Sequence, residues 1–336
     1  MPYCQAHHML VRVRPGRFGR SFSDPAHAIL APATRHLGKV SERATLIIRY
    51  RHGRRQPWRI WRARLAVRAY ALKHREAFSH VKTFCLFLGY PRSGHSLIGS
   101  LLDAHPQMVI AHEARALRFI QHGFGRQELY SLIIHNSSSM AARSNSQSSS
   151  RGIRAGARSG YSYEVPGQWQ GRFRELCVLG DKSGGQAVHA LQSRPDLLSE
   201  LARVVRDPVK FIQVVRNPFD TISTIAKRNG GTLSEAADFY FSLSDTIAET
   251  LSELDDHAVL RVRHESLIAD PGAVLREICA HLGVDAPDDY IRDCSSIVFA
   301  SPHRSRHEAP WTDDLKDQVH HRMERFPFLD SYSWDD

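Results

Sequence analysis

The chain has no uninterrupted apolar run of about 18 residues, the length a membrane-spanning helix needs. Its first thirty residues also lack the roughly 7–15-residue apolar core of a secretory signal. Cysteine is scarce. Cys4, Cys85, Cys177, Cys279 and Cys294 are odd in number, scattered and never in C-x-x-C spacing, which argues against a disulfide framework and against a zinc ribbon. These absences predict a cytoplasmic protein in a reducing compartment, either soluble or attached to a membrane surface. No G-x-S-x-G elbow is present, so a serine hydrolase is not indicated. His303 and His307 stand four apart in "PHRSRHEAP", but between prolines, in a basic loop and without a carboxylate pair, so no metal site is expected there.

Acidic residues are nearly missing from the first 75 positions, which hold 17 Lys and Arg against Asp24 and Glu42 alone. The net charge of +10 therefore belongs to this segment, and the remainder of the chain is net acidic. A whole-protein nucleic-acid binder is not expected from such a distribution. Residues 1–55 show no sustained period and read as an extension without a core of its own. From Pro57 to about residue 78, Trp58, Trp61, Leu65, Ala69 and Leu72 recur at helical spacing with arginines mostly off that stripe. This predicts a basic amphipathic helix that packs on the domain with its basic face in solvent, or rests on an anionic membrane surface.

The whole chain has 336 residues, 42% of them hydrophobic, to draw a core from. Five short runs, "KTFCLFLG" (82–89), "MVIAH" (108–112), "LCVLGDK" (176–182), "KFIQVVR" (210–216) and "AVLRVRHE" (258–265), are nearly continuous in apolar residues and alternate with helical patterns. That arrangement predicts an α/β fold with a central parallel sheet flanked by helices. One stretch interrupts it. No acid occurs between Glu128 and Glu164, and residues 136–160 are rich in Ser, Arg and Gly, which reads as a long polar loop.

"CLFLGYPRSGHSLIGSLL" (85–102) runs from a strand through a glycine-bounded loop into a helix. Backbone N–H groups then converge on one point at a helix N-terminus, and an anion belongs there. Gly89, Gly94, His95 and Ser96 match a nucleotide phosphate loop except that His95 replaces its lysine. Arg92 at the apex offers a forked donor, and Ser93, His95 and Ser96 offer hydroxyl or imidazole donors.

Taken together, "GYPRSGHSLIGSLLDAHP", "GDKSGG", "FIQVVRNPFDTISTIAKR", "RVRHESLIADPGAVLREICAHLGV" and "SPHRSRHEAPW" resemble the sulfotransferases that use 3′-phosphoadenosine 5′-phosphosulfate (PAPS). The order and spacing look most like the soluble bacterial-type members, with kinship to the tyrosylprotein and carbohydrate enzymes. The resemblance covers roughly residues 82–329. It implies a P-loop-like sulfotransferase fold, PAPS as co-substrate and no metal.

The resemblance also implies roles. Arg92, Ser93, Gly94, His95 and Ser96 match the positions that wrap the 5′-phosphosulfate. Many members carry Thr where His95 stands, and protonation of an imidazole there would make donor affinity sensitive to pH. Arg216, at the mouth of a second helix, matches the 3′-phosphate arginine, Thr224 a serine, and Arg228 a later arginine, with Ser223 able to stand in for Thr224. His264 stands where relatives place a Tyr against adenine. Arg304, Ser305 and Arg306 match the late basic loop over the 3′-phosphate. Lys182 is placed to put an ammonium on the oxygen bridging to the leaving phosphate. For the base, Glu113 is the first candidate and His112 its competitor, and strand alternation predicts that only one of them reaches the site. Asp181 is expected to orient its neighbours. "GYSYEVPGQWQG" (160–171) is the candidate acceptor wall.

The expected organisation is a basic extension over 1–80 and a sulfotransferase domain over 81–330. The acceptor is expected to be a small molecule, glycan or lipid, with a peripheral membrane contact through 57–78 and no nucleic acid. Two other readings stay open at this level: a nucleotide-dependent kinase on the same scaffold, and a non-catalytic nucleotide-binding module with a basic membrane or nucleic-acid arm.

Overall fold

The computed structural model describes residues 67, 68, 71, 72, 74–151 and 164–336. Five strands form one sheet: β1 (Thr83–Gly89), β2 (Met108–Ala111), β3 (Val178–Asp181), β4 (Val209–Val215) and β5 (Val259–Arg263). Their order is β2-β3-β1-β4-β5 and every pairing is parallel. All five coincide with the apolar runs of the sequence. β1, at the centre, is buried along all seven residues, as a strand covered on both faces must be.

Alternation along β1 feeds two cores. Phe84, Leu86 and Leu88 join Tyr130, Ile133, Val188 and Tyr240 on one face. Cys85 and Phe87 join Ile98, Leu101, Leu275 and Ile278 on the other. Each such side chain contributes roughly 1.5–3 kcal/mol of burial. The chain moves from β1 to one edge and from β4 to the other, so connections diverge between these two neighbouring strands. A crevice opens there at their carboxyl ends, the usual ligand position of an open α/β sheet.

Two helices rise from that crevice, His95–Asp103 after β1 and Pro218–Asn229 after β4. The second has proline in its first turn, and the Asn217 side chain caps it by accepting the Phe219 N–H at 3.0 Å.

The serine-rich stretch departs from expectation. Residues 136–151 are not loop but the second half of a 26-residue helix, Arg126–Arg151. Its apolar first half docks through Leu129, Tyr130 and Ile133, and two of the serines that follow find tertiary partners. Ser137 Oγ donates to both Asp103 oxygens at 2.8 Å, and Ser138 Oγ donates to the Gly171 carbonyl at 2.7 Å. Docking of this kind outweighs the weak intrinsic preference of serine. Residues 152–163 of the expected loop lie outside the described residues.

The basic extension, and the amphipathic helix from 57 to 66, also lie outside the described residues. Residues 67, 68, 71 and 72 are helical. Val67 and Ala71 are buried, whereas Leu72 is 74% exposed. The buried face is therefore not the stripe that ends on Leu72, because packing has selected Val67 and Ala71 from outside it. Among the described residues no helix is long and apolar enough to cross a membrane.

Candidate active site

The loop after β1 carries its own strain. Arg92 has φ 73° and Gly94 φ 94°, conformations that cost a non-glycine residue about 1–3 kcal/mol. At Gly94 there is also no room, since an added Cβ would lie 2.3 Å from His264 Nδ1. The His264 ring thus packs directly on the anion loop. It is buried, its Nδ1 has no partner among the described residues, and burial together with the neighbouring Arg216 charge lowers its pKa to about 4.

Two expected donors of the loop are turned inward. Ser93 Oγ donates to the Tyr90 carbonyl at 3.0 Å and lies 3.1 Å from His95 Nδ1, so its hydroxyl shapes the loop rather than facing an anion. His95 is buried as well. Burial, with Lys182, His112 and Arg92 nearby, holds its imidazole well below the ordinary range and therefore neutral. The pH sensitivity expected of this position does not follow, because the proton that would carry it is absent near neutrality. Ser96 keeps its hydroxyl at the site edge, accepting from Lys182.

Lys182 is the centre of the first cluster. It follows β3, its side chain is 1% exposed, and its stem crosses Gly99, where an added Cβ would come within 2.7 Å of Lys182 Cγ. The Nζ donates to Ser96 Oγ at 3.0 Å and to Glu113 Oε1 at 3.1 Å, and lies 3.4 Å from His112 Nε2. Burial lowers the Lys182 pKa, against the raising effect of Glu113. Burial also acts to raise the Glu113 pKa, but the Lys182 charge and hydrogen bond outweigh it and the carboxyl titrates below its ordinary range. Burial and then the Lys182 charge bring His112 down to about 4.

Both candidates for the base therefore reach the same lysine, which corrects the expectation that only one would. The reason is local. β2 ends at Ala111, so strand alternation no longer governs residues 112 and 113, and Glu113 has φ 60°. Asp181 orients this turn, as expected, by accepting the Ala114 N–H at 2.9 Å and the Ala116 N–H at 2.7 Å. Gln186, which follows the "GDKSGG" motif, donates to Glu113 Oε2 at 3.2 Å.

A second cluster lies at the end of β4. Arg216 is buried, donates to the His303 carbonyl, and reaches Ser305 Oγ at 3.5 Å and the Arg92 carbonyl at 3.4 Å. Its Nε is buried and has no partner among the described residues. Thr224 Oγ1 lies 3.0 Å from Ser305 Oγ, whereas Ser223 accepts the Trp311 indole N–H at 2.8 Å behind the site. Thr224 is therefore the hydroxyl that faces Ser305. Arg228 stands one helical turn further along the same face and is exposed, as is Arg304.

Arg306 is the clearest correction. Its side chain is buried, Nη1 pairs with Asp220 Oδ2 at 3.0 Å, its backbone N–H donates to Asp220 Oδ1 at 2.9 Å, and Nη2 donates to the Asp336 carbonyl. It clamps the 303–308 loop to the helix Pro218–Asn229, with its Nε buried and without a partner among the described residues. A buried carboxylate four residues after Arg216 required such a partner, and Asp220 was not singled out in the sequence.

The expected acceptor wall also moves. Trp169 N–H donates to the Ala104 carbonyl at 3.0 Å and Gly171 N–H to Asp103 at 3.0 Å. Residues 165–171 thus pack at the far end of the helix His95–Asp103, about 13 Å from its N-terminus at 1.5 Å per residue. Residues 160–163 lie outside the described residues.

Among the described residues, no group of three or more His, Cys, Asp or Glu could hold a metal ion. The two clusters flank the loop after β1 at adjacent carboxyl ends of strands. They set a buried lysine with a carboxylate on one side and a buried arginine with two hydroxyls on the other.

Several solved structures resemble the chain. The sulfotransferase domain from the curacin biosynthetic pathway is 16% identical, with 73% of this chain and 96% of that chain covered and a TM-score of 0.45. Sulfotransferase STF9 from Mycobacterium avium is 14% identical, with 79% and 82% covered and a TM-score of 0.43. The sulfotransferase domain from the Synechococcus PCC 7002 olefin synthase is 17% identical, with 70% and 83% covered and a TM-score of 0.41. No curated protein matches the chain. Residues 86–288 match the sulfotransferase family, a span that takes in the anion loop, Glu113, Lys182, Arg216 and His264. That match selects sulfuryl transfer over the kinase and the non-catalytic module, and the chain belongs to the sulfotransferase family as a PAPS-dependent enzyme.

Proposed function

We propose that the chain moves a sulfuryl group from PAPS to a hydroxyl, or an amine, of a small-molecule, glycan or lipid acceptor, with no metal taking part. The observation that carries this reading is the pair of buried basic clusters around Lys182 and Arg216, on either side of the loop Gly89–Ser96. A nucleotide phosphorylated at both its 3′ and 5′ ends needs two such separated sites. The buried Nε of Arg216, which has no partner among the described residues, supports the fit, because it is a donor at the mouth of the second helix.

When bound, PAPS supplies an activated sulfuryl group whose sulfur–oxygen bond to phosphate is the one broken. The chain's residues then divide the work. The helix N-terminus at His95 and the backbone of the loop hold the phosphosulfate end, with Arg92 at its apex. Arg216, Thr224 and Ser305 hold the 3′-phosphate. Glu113 takes the acceptor's proton as the acceptor oxygen bonds to sulfur, with His112 as the alternative base. Lys182 gives up a contact with Ser96 or Glu113 and directs its ammonium at the bridging oxygen, where negative charge develops.

Two measurements test this reading. Adenosine 3′,5′-bisphosphate should bind tightly in the presence of a chelator, and labelled PAPS offered with an extract of small metabolites should yield a labelled product. Binding that requires magnesium and ATP would overturn it.

A further inference from the structure

The turn His112–Arg115 makes no regular secondary structure and runs into the helix Ala116–Gln121, yet three of its N–H groups and that of Ala116 are taken by side chains. Ala114 and Ala116 donate to Asp181, and Arg115 donates to Ser183 Oγ at 3.1 Å. All three lie at the far end of the turn. At the near end, the His112 N–H donates to Asn136 Oδ1 at 3.0 Å. Glu113 sits between these anchors with φ 60°. A residue in that region persists only while its flanks are fixed.

We propose that Asn136 is a positioning residue of the reaction centre: by accepting the His112 N–H, its side chain fixes the turn that carries His112 and Glu113 onto Lys182. With that acceptor removed, Glu113 is free to relax to negative φ, which rotates its carboxylate away from the lysine. The helix that carries Asn136 does not depend on this bond. Its next two residues hold other segments, Ser137 on Asp103 and Ser138 on the Gly171 carbonyl. The polar run of this helix thus has a definite task, which is to bring a carbonyl oxygen to the start of the catalytic turn.

The inference rests on the proposed roles of Glu113 and Lys182, and its test separates the two. Asn136→Leu removes the acceptor at similar volume, and Asn136→Asp keeps an oxygen in place. Turnover is measured with PAPS and 4-nitrophenol, and the His112 ring is titrated by NMR in the ligand-free protein, which reads the turn whether or not 4-nitrophenol is sulfated. The leucine variant should lose about 10–100-fold in kcat, the scale expected for a misplaced reacting group, with the donor KM changed by less than about twofold. Its His112 should titrate nearer the ordinary 6.5 than the value of about 4 set by burial and Lys182. Asn136→Asp should recover most of kcat. Unchanged turnover and titration in Asn136→Leu, an equal loss in kcat and donor KM, or an aspartate variant as poor as leucine would each overturn the proposal. Glu113→Gln serves as the parallel control: if it stays active, the assignment of the base to Glu113 has failed and passes to His112, and if it is inactive while Asn136→Leu behaves as wild type, only the role of Asn136 has failed. Should leucine prevent folding, Asn136→Ala carries the same comparison.

Discussion

Lys182 Nζ and Glu113 Oε1 lie 3.1 Å apart, with the lysine side chain 1% exposed and the glutamate 43% exposed. The proposed leaving-group cation and the proposed base are therefore paired with each other. The partly solvated carboxylate compensates the charge of the buried ammonium, whose isolation would be expensive.

If Glu113 is the base, Glu113→Gln should lower turnover by about 10²–10⁴-fold while leaving adenosine 3′,5′-bisphosphate affinity within a small factor. Steady-state kinetics and calorimetry check the two halves. An active variant would pass the role to His112, which lies 3.4 Å from the same lysine.

Arg216→Ala should weaken adenosine 3′,5′-bisphosphate far more than adenosine 5′-phosphosulfate. Loss of a buried charge-assisted contact corresponds to roughly 1.5–3 kcal/mol, or about 10–100-fold in Kd at 1.4 kcal/mol per tenfold. Equal losses for the two nucleotides, measured by competition, would remove the 3′-phosphate assignment.

The acid side of the pH profile follows from the same pair. Glu113 acts only when ionised, and Lys182 outweighs the effect of burial and holds its carboxyl below the ordinary glutamate range. The acid limb of the rate should therefore lie at lower pH than an unperturbed glutamate would give. In Lys182→Met the largest lowering effect is gone and burial is opposed only by the smaller ones of His112 and Arg115, so the carboxyl should titrate at higher pH, read on the residual rate or by carbon NMR of the glutamate. His95 adds no limb near neutrality, and His95→Thr should leave the profile between pH 6 and 8 unchanged.

Arg306→Met should destabilise the fold by about 3 kcal/mol, the low end of the cost of breaking a buried ion pair, because Asp220 keeps the Arg306 backbone N–H at 2.9 Å and Arg216 at 4.0 Å. Urea unfolding measures this. A shift below about 1 kcal/mol would mean that the pair is solvated and that Arg306 is available to a ligand.

The sheet was legible because its strands are short apolar runs with few alternative uses, and each of the five occurs where the pattern predicts it. The anion loop was equally legible from its flanking strand and helix. What remained hidden was side-chain direction. Ser93, Ser223 and Arg306 carry suitable chemistry at suitable positions, yet the two hydroxyls engage Tyr90 and Trp311 and the Arg306 Nη1 engages Asp220. Linear sequence does not encode which way a polar group turns once a core partner competes for it. His112 and Glu113 were judged by strand alternation, but β2 ends one residue before them. The helix Arg126–Arg151 was missed because its second half has little periodicity of its own, and its docking is decided by Asp103 and Gly171, far away in the chain.

The order β2-β3-β1-β4-β5 has a kinetic side. β1 finds its two neighbours only in β3 and β4, roughly a hundred residues later, so much of the chain must be in place before the crevice exists. Of the two basic clusters, the one around Arg216 is completed further along the chain still, with Ser305. A ligand that spans both can thus be recognised only by the finished fold, and mass action makes it a folding aid. At a hundredfold excess over its Kd it adds about 2.7 kcal/mol to the free energy of unfolding. Nucleotide supply would then set how much of this protein persists in a cell, as well as how fast it turns over.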